Sequence, residues 1–240
     1  LVEARAIAEE AQAGAERSGD AATACDAGIL HARCLANLGH PPRALEVVSA
    51  LAPPDERRRA QAEGLRAVLL VAVGEPGGAL ACALALASAL PGLPWPARGE
   101  IAHRVATALY QLGHLREAAD VFDRAVVAER RGSVRFDVGR MLRHLRAGIA
   151  VDAGDLERAR RELDALDPYL AHASLLRDHV VVARALAALV AGQLDEVDHF
   201  CSELGARALP PQIGQEVAAI RLRTRDRKST RLNSSHRLTS

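Results

Sequence analysis

Five glycines recur along the chain at nearly constant spacing, and each separates two stretches with the character of an α-helix. They are Gly39, Gly74, Gly113, Gly154 and Gly192, separated by 35, 39, 41 and 38 residues. A period of this length indicates stacked copies of one supersecondary unit. Glycine adopts the left-handed conformation without a Cβ clash, so it can turn the chain sharply at the end of a helix. Each glycine is therefore predicted to join two helices.

Small residues stand at fixed offsets from these glycines. Seven residues before each glycine is an alanine, and five residues after it is an alanine or, in the last copy, a valine. These residues are Ala32, Ala67, Ala106, Ala147 and Ala185 before the glycines, and Ala44, Ala79, Ala118, Ala159 and Val197 after them. Small side chains allow two helix backbones to approach closely, and apolar residues further along give the second helix a buried stripe. The pattern predicts five helix–turn–helix hairpins with closely spaced helices, because aromatic residues make up only 2% of the chain.

The pattern resembles the tetratricopeptide repeat (TPR) family, and the copy most like it is QLGHLREAADVFDRA, with Gly113, Ala118 and Phe122. The resemblance covers roughly residues 1–209. It implies an all-α, right-handed α-solenoid of about five antiparallel helix pairs, with the first helix of each pair lining a concave groove. Two departures are a unit longer than the family's roughly 34 residues and a mostly polar position before the small alanine. The residues there are His31, Arg66, Val105, Arg146 and Arg184. A non-repetitive helical bundle is the alternative.

The last fifteen residues, DRKSTRLNSSHRLTS, differ in composition from the rest of the chain. They contain Lys228, which is the only lysine, and residues 226–236 resemble a translated sequencing adapter. We therefore expect a repeat domain over 1–225, cut at both ends, and an artefactual, disordered tail over 226–240. Without the tail's four cations and one anion, the net charge changes from +1 to about −2. That balance does not favour a nucleic-acid-binding segment.

Motifs that carry chemistry are absent from the sequence. A phosphate-binding Walker loop needs a lysine, and none precedes Lys228; HExxH and GxSxG are also missing. The cysteines lack the paired spacing of a zinc site, and they are Cys25, Cys34, Cys82 and Cys201. We interpret them as core thiols of a protein in the reducing cytoplasm. The apolar run 76–97 is interrupted by prolines and is too short for a membrane span. We predict no catalytic, cofactor-binding or metal site.

One cluster of cationic residues is a candidate binding site. Arg140, Arg143 and His144 share one face of the predicted first helix of the fourth repeat, and Arg177 and Arg184 lie on the corresponding helix of the fifth. In a groove lined by first helices, as the resemblance implies, they would bind an acidic peptide or a neighbouring domain of the same chain. The alternative is that they form exposed ion pairs of little energetic value. The nearby acids that would pair with them are Asp137, Asp152 and Asp178.

The Ala, Arg and Leu-rich composition and the repeat length near forty residues resemble the helical-repeat region of large ATP-binding bacterial regulators of the LuxR type. That resemblance implies a non-catalytic module that transmits a signal between an ATPase domain and a DNA-binding domain. Two alternatives are a TPR scaffold attached to a protease-like domain and a stand-alone TPR adaptor. In each case we expect a cytoplasmic segment that contacts protein or peptide, and neither membrane nor nucleic acid.

Overall fold

The computed structural model describes residues 1–93, 97–129, 136–170, 174–206, 209 and 211–238. Over these residues the chain is all-α, with thirteen α-helices and no strand, as the sequence predicted. It divides into two compact units, Leu1–Gly139 and Arg140–Ser240.

The first unit contains seven α-helices and a short 3-10 helix at Leu90–Gly92. The α-helices are α1 (Val2–Ser18), α2 (Ala21–Asn37), α3 (Pro41–Ala50), α4 (Glu56–Ala72), α5 (Pro76–Ala89), α6 (Ala97–Gln111) and α7 (Leu115–Glu129). Helix α8 (Phe136–Asp152) begins at the boundary and lies mostly in the second unit. The remaining helices are α9 (Leu156–Asp164), α10 (Asp167–Leu170), α11 (Ser174–Ala191), α12 (Leu194–Gly205) and α13 (Pro211–Leu238).

All five repeat glycines join two helices through the same turn. Their φ angles lie between +75° and +85°. At Gly39, for example, the glycine N–H donates to Ala36 O at 3.0 Å and the His40 N–H donates to Leu35 O at 2.9 Å. The same two bonds recur at the other four glycines. They satisfy carbonyl groups that the end of a helix leaves without partners.

A sixth turn of this type lies between α1 and α2 and was missed in the sequence. Gly19 has φ +74°, and the N–H groups of Gly19 and Asp20 donate to Glu16 O and Ala15 O. The residue seven positions before Gly19 is Gln12 instead of an alanine, so this turn lacks the signature of the other five. Helix α2 consequently takes part in two hairpins, one with α1 and one with α3.

The small residues around each turn form the centre of each hairpin. All ten are 0% exposed: Ala32, Ala44, Ala67, Ala79, Ala106, Ala118, Ala147, Ala159, Ala185 and Val197. A larger side chain at these positions would force the helices apart, because protein interiors are already close-packed. The spacing in the sequence therefore corresponds to the places where the paired helices meet.

We call the helix before each repeat glycine a first helix (α2, α4, α6, α8, α11) and the helix after it a second helix (α3, α5, α7, α9, α12). In the first unit α2, α4 and α6 each pack against their own second helix, and α4 also packs against both α2 and α6. One core cluster there joins α2, α3 and α4, and its largest members include Ile29, Leu35, Val48 and Leu69. The three first helices consequently lie next to one another.

In the second unit α8, α9 and α11 share a core that includes Ala147, Leu163, Leu166 and Val180. Helix α13 packs on α11 and α12 through Ile213, Val217 and Ile220. This helix begins at Pro211 and continues to Leu238. The assignment of residues 226–240 as an artefactual, disordered tail stays a prediction. Residues 226–238 contain neither glycine nor proline, and nothing in their backbone ends a helix that begins at Pro211.

No helix in the described part of the chain is both long enough and apolar enough to cross a membrane. The apolar run that begins at Pro76 forms α5, which ends at Ala89 and packs on α4 and α6.

Candidate interaction surface

Two of the cationic residues singled out on α8 and α11, Arg143 and Arg184, are already engaged by acidic side chains. Arg143 Nη1 donates to Glu162 Oε2 at 3.1 Å, and Arg146 Nη1 lies 3.3 Å from Glu162 Oε1. The Glu162 side chain on α9 is only 13% exposed. A single shielded carboxylate thus binds two arginines of the first helix in the same hairpin.

Arg184 on α11 is paired in the same way. Its Nη2 atom donates to Asp167 Oδ1 at 2.7 Å and lies 3.4 Å from Asp164 Oδ1. These acids belong to the end of α9 and to α10. The sequence analysis named Asp152 and Asp178 as possible partners, whereas the acids that contact Arg143 and Arg184 are Glu162, Asp164 and Asp167. Asp137, the third predicted acid, has a side chain outside the described residues.

The other members of the predicted cluster have separate surroundings. The Arg140 guanidinium lies 4.3 Å from the centre of the Tyr169 ring, in a cation–π contact. His144 Nε2 is 3.2 Å from His179 O, and the two imidazole rings lie 5.4 Å apart. Arg177 is exposed. The structure therefore brings these residues into one unit without assembling them into a single uncompensated cationic site.

A more extensive polar network lies on the first helices of the first unit and was missed in the sequence. We call it the polar ladder, and its members are Asp26 and Arg33 on α2, Asp55, Arg57, Arg58 and Gln61 on or beside α4, and Glu100 and Arg104 on α6. Gln61 Nε2 donates to Glu100 Oε2 at 3.1 Å, and Arg58 donates to both oxygens of Asp26 at 2.9 and 2.8 Å. These bonds connect all three first helices side by side.

Arg104 is the buried centre of the ladder, with 7% of the residue exposed. Its Nη1 atom donates to Gln61 O at 2.7 Å and its Nη2 atom donates to Glu100 Oε1 at 2.7 Å. Burial lowers the pKa of Arg104 to about 10, so the guanidinium keeps its charge at neutral pH. Gly64 on α4 lies against the stem of this side chain, since a Cβ there would be 3.6 Å from Arg104 Cβ.

His103 is next to Arg104 on α6, and its imidazole is partly buried. Burial and, to a smaller extent, the Arg104 charge lower the pKa of His103 to about 4. The ring is therefore neutral at pH 7 and adds no charge to the ladder.

Two arginines at the exposed edge of the ladder make only long contacts, to carboxylate oxygens that already accept a hydrogen bond from another arginine. Arg33 Nη1 is 3.5 Å from Glu100 Oε1, which already accepts from Arg104, and the Arg33 side chain is 51% exposed. Arg57 Nη2 is 3.7 Å from Asp26 Oδ1, which already accepts from Arg58. Exposed pairs at these distances contribute little energy.

The repeat register itself could have revealed the ladder. Asp26, Gln61 and Glu100 each stand thirteen residues before their glycine, so equivalent positions of neighbouring hairpins carry side chains that can bond to one another. A second row at six residues before the glycine contains Arg33, Val68 and Thr107, all at least partly exposed. We call the face that carries both rows the first-helix surface.

The cysteines do not suggest a reactive site. All four are unpaired, and three of them are buried. The Cys82 thiol donates to Glu63 Oε2 at 3.2 Å, and burial together with this bond raises the pKa of Cys82 to about 12. A thiol that stays protonated is a poor nucleophile and metal ligand. Among the residues with described positions, no group of three or more His, Cys, Asp or Glu side chains could hold a metal ion.

Comparison of the chain with protein-family models, with curated proteins and with solved structures finds no match. The assignment of a function consequently depends on the geometry of the first-helix surface and of the repeated turn.

Proposed function

We propose that this chain is a non-catalytic helical-repeat scaffold that holds another polypeptide on the first-helix surface of its first unit. The observation that carries this proposal is the side-by-side arrangement of α2, α4 and α6, which presents polar and charged side chains at equivalent positions. A surface built from equivalent positions of successive repeats suits an extended ligand, because the same contact can recur along its length.

We further propose that the hairpins belong to a TPR-like, right-handed α-solenoid. The repeated turn at six glycines and the completely buried alanines at the helix crossings support this architecture. They are features that stacking of identical hairpins requires.

The first unit is a better candidate than the arginines of α8 and α11. Arg143 and Arg184 would have to give up Glu162 and Asp167 before binding a new carboxylate, at distances of 3.1 and 2.7 Å. The outer arginines of the ladder, Arg33 and Arg57, would lose only carboxylate contacts of 3.5 and 3.7 Å. We therefore favour the first-helix surface as the binding face.

The parent protein is, in our proposal, a cytoplasmic LuxR-type ATP-binding regulator in which this segment transmits a signal between domains. Sequencing of the parent locus outward from residues 101–130 tests this directly. A Walker motif upstream and a helix-turn-helix downstream would support it. A protease-like domain, or repeats alone, would favour one of the two other scaffold classes. The same reads would test the adapter-like origin of residues 226–236.

The binding face can be tested with bulky substitutions that leave its charge unchanged. Val68→Trp and Thr107→Trp place an indole on the first-helix surface, and Leu84→Trp places one on the second helix α5, where Leu84 is 44% exposed. We expect the first two variants to lose binding to an array of random-sequence decapeptides and the third to bind like the parent chain. Thermal unfolding would verify that all three fold. Equal binding by all variants would contradict the proposed face.

A further inference from the structure

We propose that Arg33 and Arg57 form a recognition site for the carboxylates of an acidic peptide lying across α2, α4 and α6. This inference rests on the proposed function, since it names the chemistry of the partner for the same surface. It depends on how the charges of the polar ladder are distributed between its buried and exposed members.

The two less exposed arginines, Arg104 and Arg58, donate to all three carboxylates of the ladder. Glu100 accepts from Arg104 with one oxygen and from Gln61 with the other, at 2.7 and 3.1 Å. Both oxygens of Asp26 accept from Arg58 in a bidentate pair. Arg58 also pairs with Asp55, and its side chain is 17% exposed. The three acids of the ladder thus have strong partners without Arg33 or Arg57.

Arg33 and Arg57 consequently share the surplus positive charge of this surface. The ladder contains four arginines and three carboxylates, so it carries an excess of one positive charge, and His103 is neutral at pH 7. The excess is located at the two outer arginines, whose side chains are 51% and 36% exposed. Their present contacts, at 3.5 and 3.7 Å, are easily exchanged for a bidentate bond to an incoming carboxylate.

The two arginines are connected through the ladder. Arg57 Nη1 donates to Gln61 Oε1 at 3.2 Å, Gln61 donates to Glu100, and Glu100 lies against Arg33. This chain of contacts runs across all three helices, and the bond to Gln61 restricts the Arg57 side chain. Pre-ordered side chains lose less conformational entropy when a ligand binds. An extended peptide with spaced acidic residues fits a pair of cations arranged in this way.

The test uses decapeptides in which glutamate, glutamine or lysine alternates with alanine, with the full chain and fluorescence anisotropy as the readout. Affinity is expected to increase from the lysine to the glutamine to the glutamate peptide and to fall with added salt. Arg33→Gln and Arg57→Gln should each weaken the glutamate peptide about threefold, and the double variant about tenfold. Arg59→Gln is the matched control, because Arg59 is an exposed arginine of α4 outside the ladder. It should change affinity less than twofold.

Three outcomes would overturn the inference. One is unchanged affinity of the glutamate peptide in the double variant, and another is no preference for glutamate over glutamine. The third is tighter, Arg33-dependent binding of a single-stranded oligonucleotide, which would assign the surface to a different macromolecule. If neutral peptides bind and Val68→Trp blocks them, the proposed function stands while the acidic partner is wrong. If no peptide in either experiment binds, both proposals fail.

Discussion

Arg104 and Glu100 lie one turn apart on α6, and the Arg104 guanidinium donates to Glu100 Oε1 at 2.7 Å although Arg104 is only 7% exposed. With Glu100 in place, burial lowers the pKa of Arg104 only to about 10, so the buried guanidinium is charged at neutral pH. We expect Glu100→Gln to lower the free energy of unfolding by about 3 kcal/mol, since it leaves a buried charge uncompensated.

Arg104→Met is the informative counterpart, because it removes the buried charge and retains an apolar side chain. It should cost about 1 kcal/mol or less. Urea unfolding followed by circular dichroism would measure both variants. A larger loss for Arg104→Met than for Glu100→Gln would show that the bonds of Arg104, and not the compensation of its charge, dominate.

His103 predicts a dependence of stability on pH. Its pKa in the folded chain is about 4, below the ordinary value of 6.5. Between these values the unfolded chain binds a proton that the folded chain does not. The free energy of unfolding should therefore fall as pH is lowered from about 6.5 to about 4, by at most about 3 kcal/mol from this group. His103→Gln should remove that part of the slope in urea titrations at successive pH values. The same substitution at exposed His40 controls for the loss of an imidazole, and equal slopes in the His103 variant and the parent chain would contradict the prediction.

Two glycines should respond in opposite directions to alanine. Gly64 is inside α4, and an added Cβ would meet Arg104 at 3.6 Å, an ordinary van der Waals distance. We expect Gly64→Ala to raise the free energy of unfolding by about 1 kcal/mol, because glycine is a poor helix residue. Gly74 has φ +83°, where alanine is strained, so Gly74→Ala should lower it by about 1–2 kcal/mol. Denaturant midpoints would reveal the signs, and a loss of stability at Gly64 would mean that α4 and α6 cannot accommodate a methyl group.

Glu162 should contribute more to the free energy of unfolding than an exposed acid of the same helix. It contacts Arg143 and Arg146 and is 13% exposed, whereas Glu157 pairs with Arg161 and is 91% exposed. We expect Glu162→Gln to cost about 1–3 kcal/mol, because charged hydrogen bonds are replaced by weaker ones. Glu157→Gln should be close to neutral. Chemical unfolding of the two variants side by side would check the difference, and equal effects would show that Glu162 acts as a surface residue.

Much of the fold could be read from residue spacing. A positive φ angle without strain selects glycine, and a helix crossing without space for a side chain selects alanine. Both demands are local, so they left a periodic signature at residues such as Gly113 and Ala106. The turn at Gly19 was not predicted, because Gly19 has the positive φ angle but Gln12 stands seven residues before it where the other copies have an alanine.

The charged sites could not be read in the same way, because the partner of an arginine is set by which helices are neighbours and by their rotation. The sequence placed Arg143 and Arg184 near acids of their own helices, and the structure pairs them with Glu162, Asp164 and Asp167 from α9 and α10. Residue spacing alone determined that the chain forms hairpins of helices joined at glycines. Only the tertiary structure decided which arginines are buried and satisfied, such as Arg104, and which remain exposed with weak partners. The physical reason is that side-chain electrostatics depend on distances between helices far apart in sequence, whereas turns and helix crossings are determined by residues close together in it.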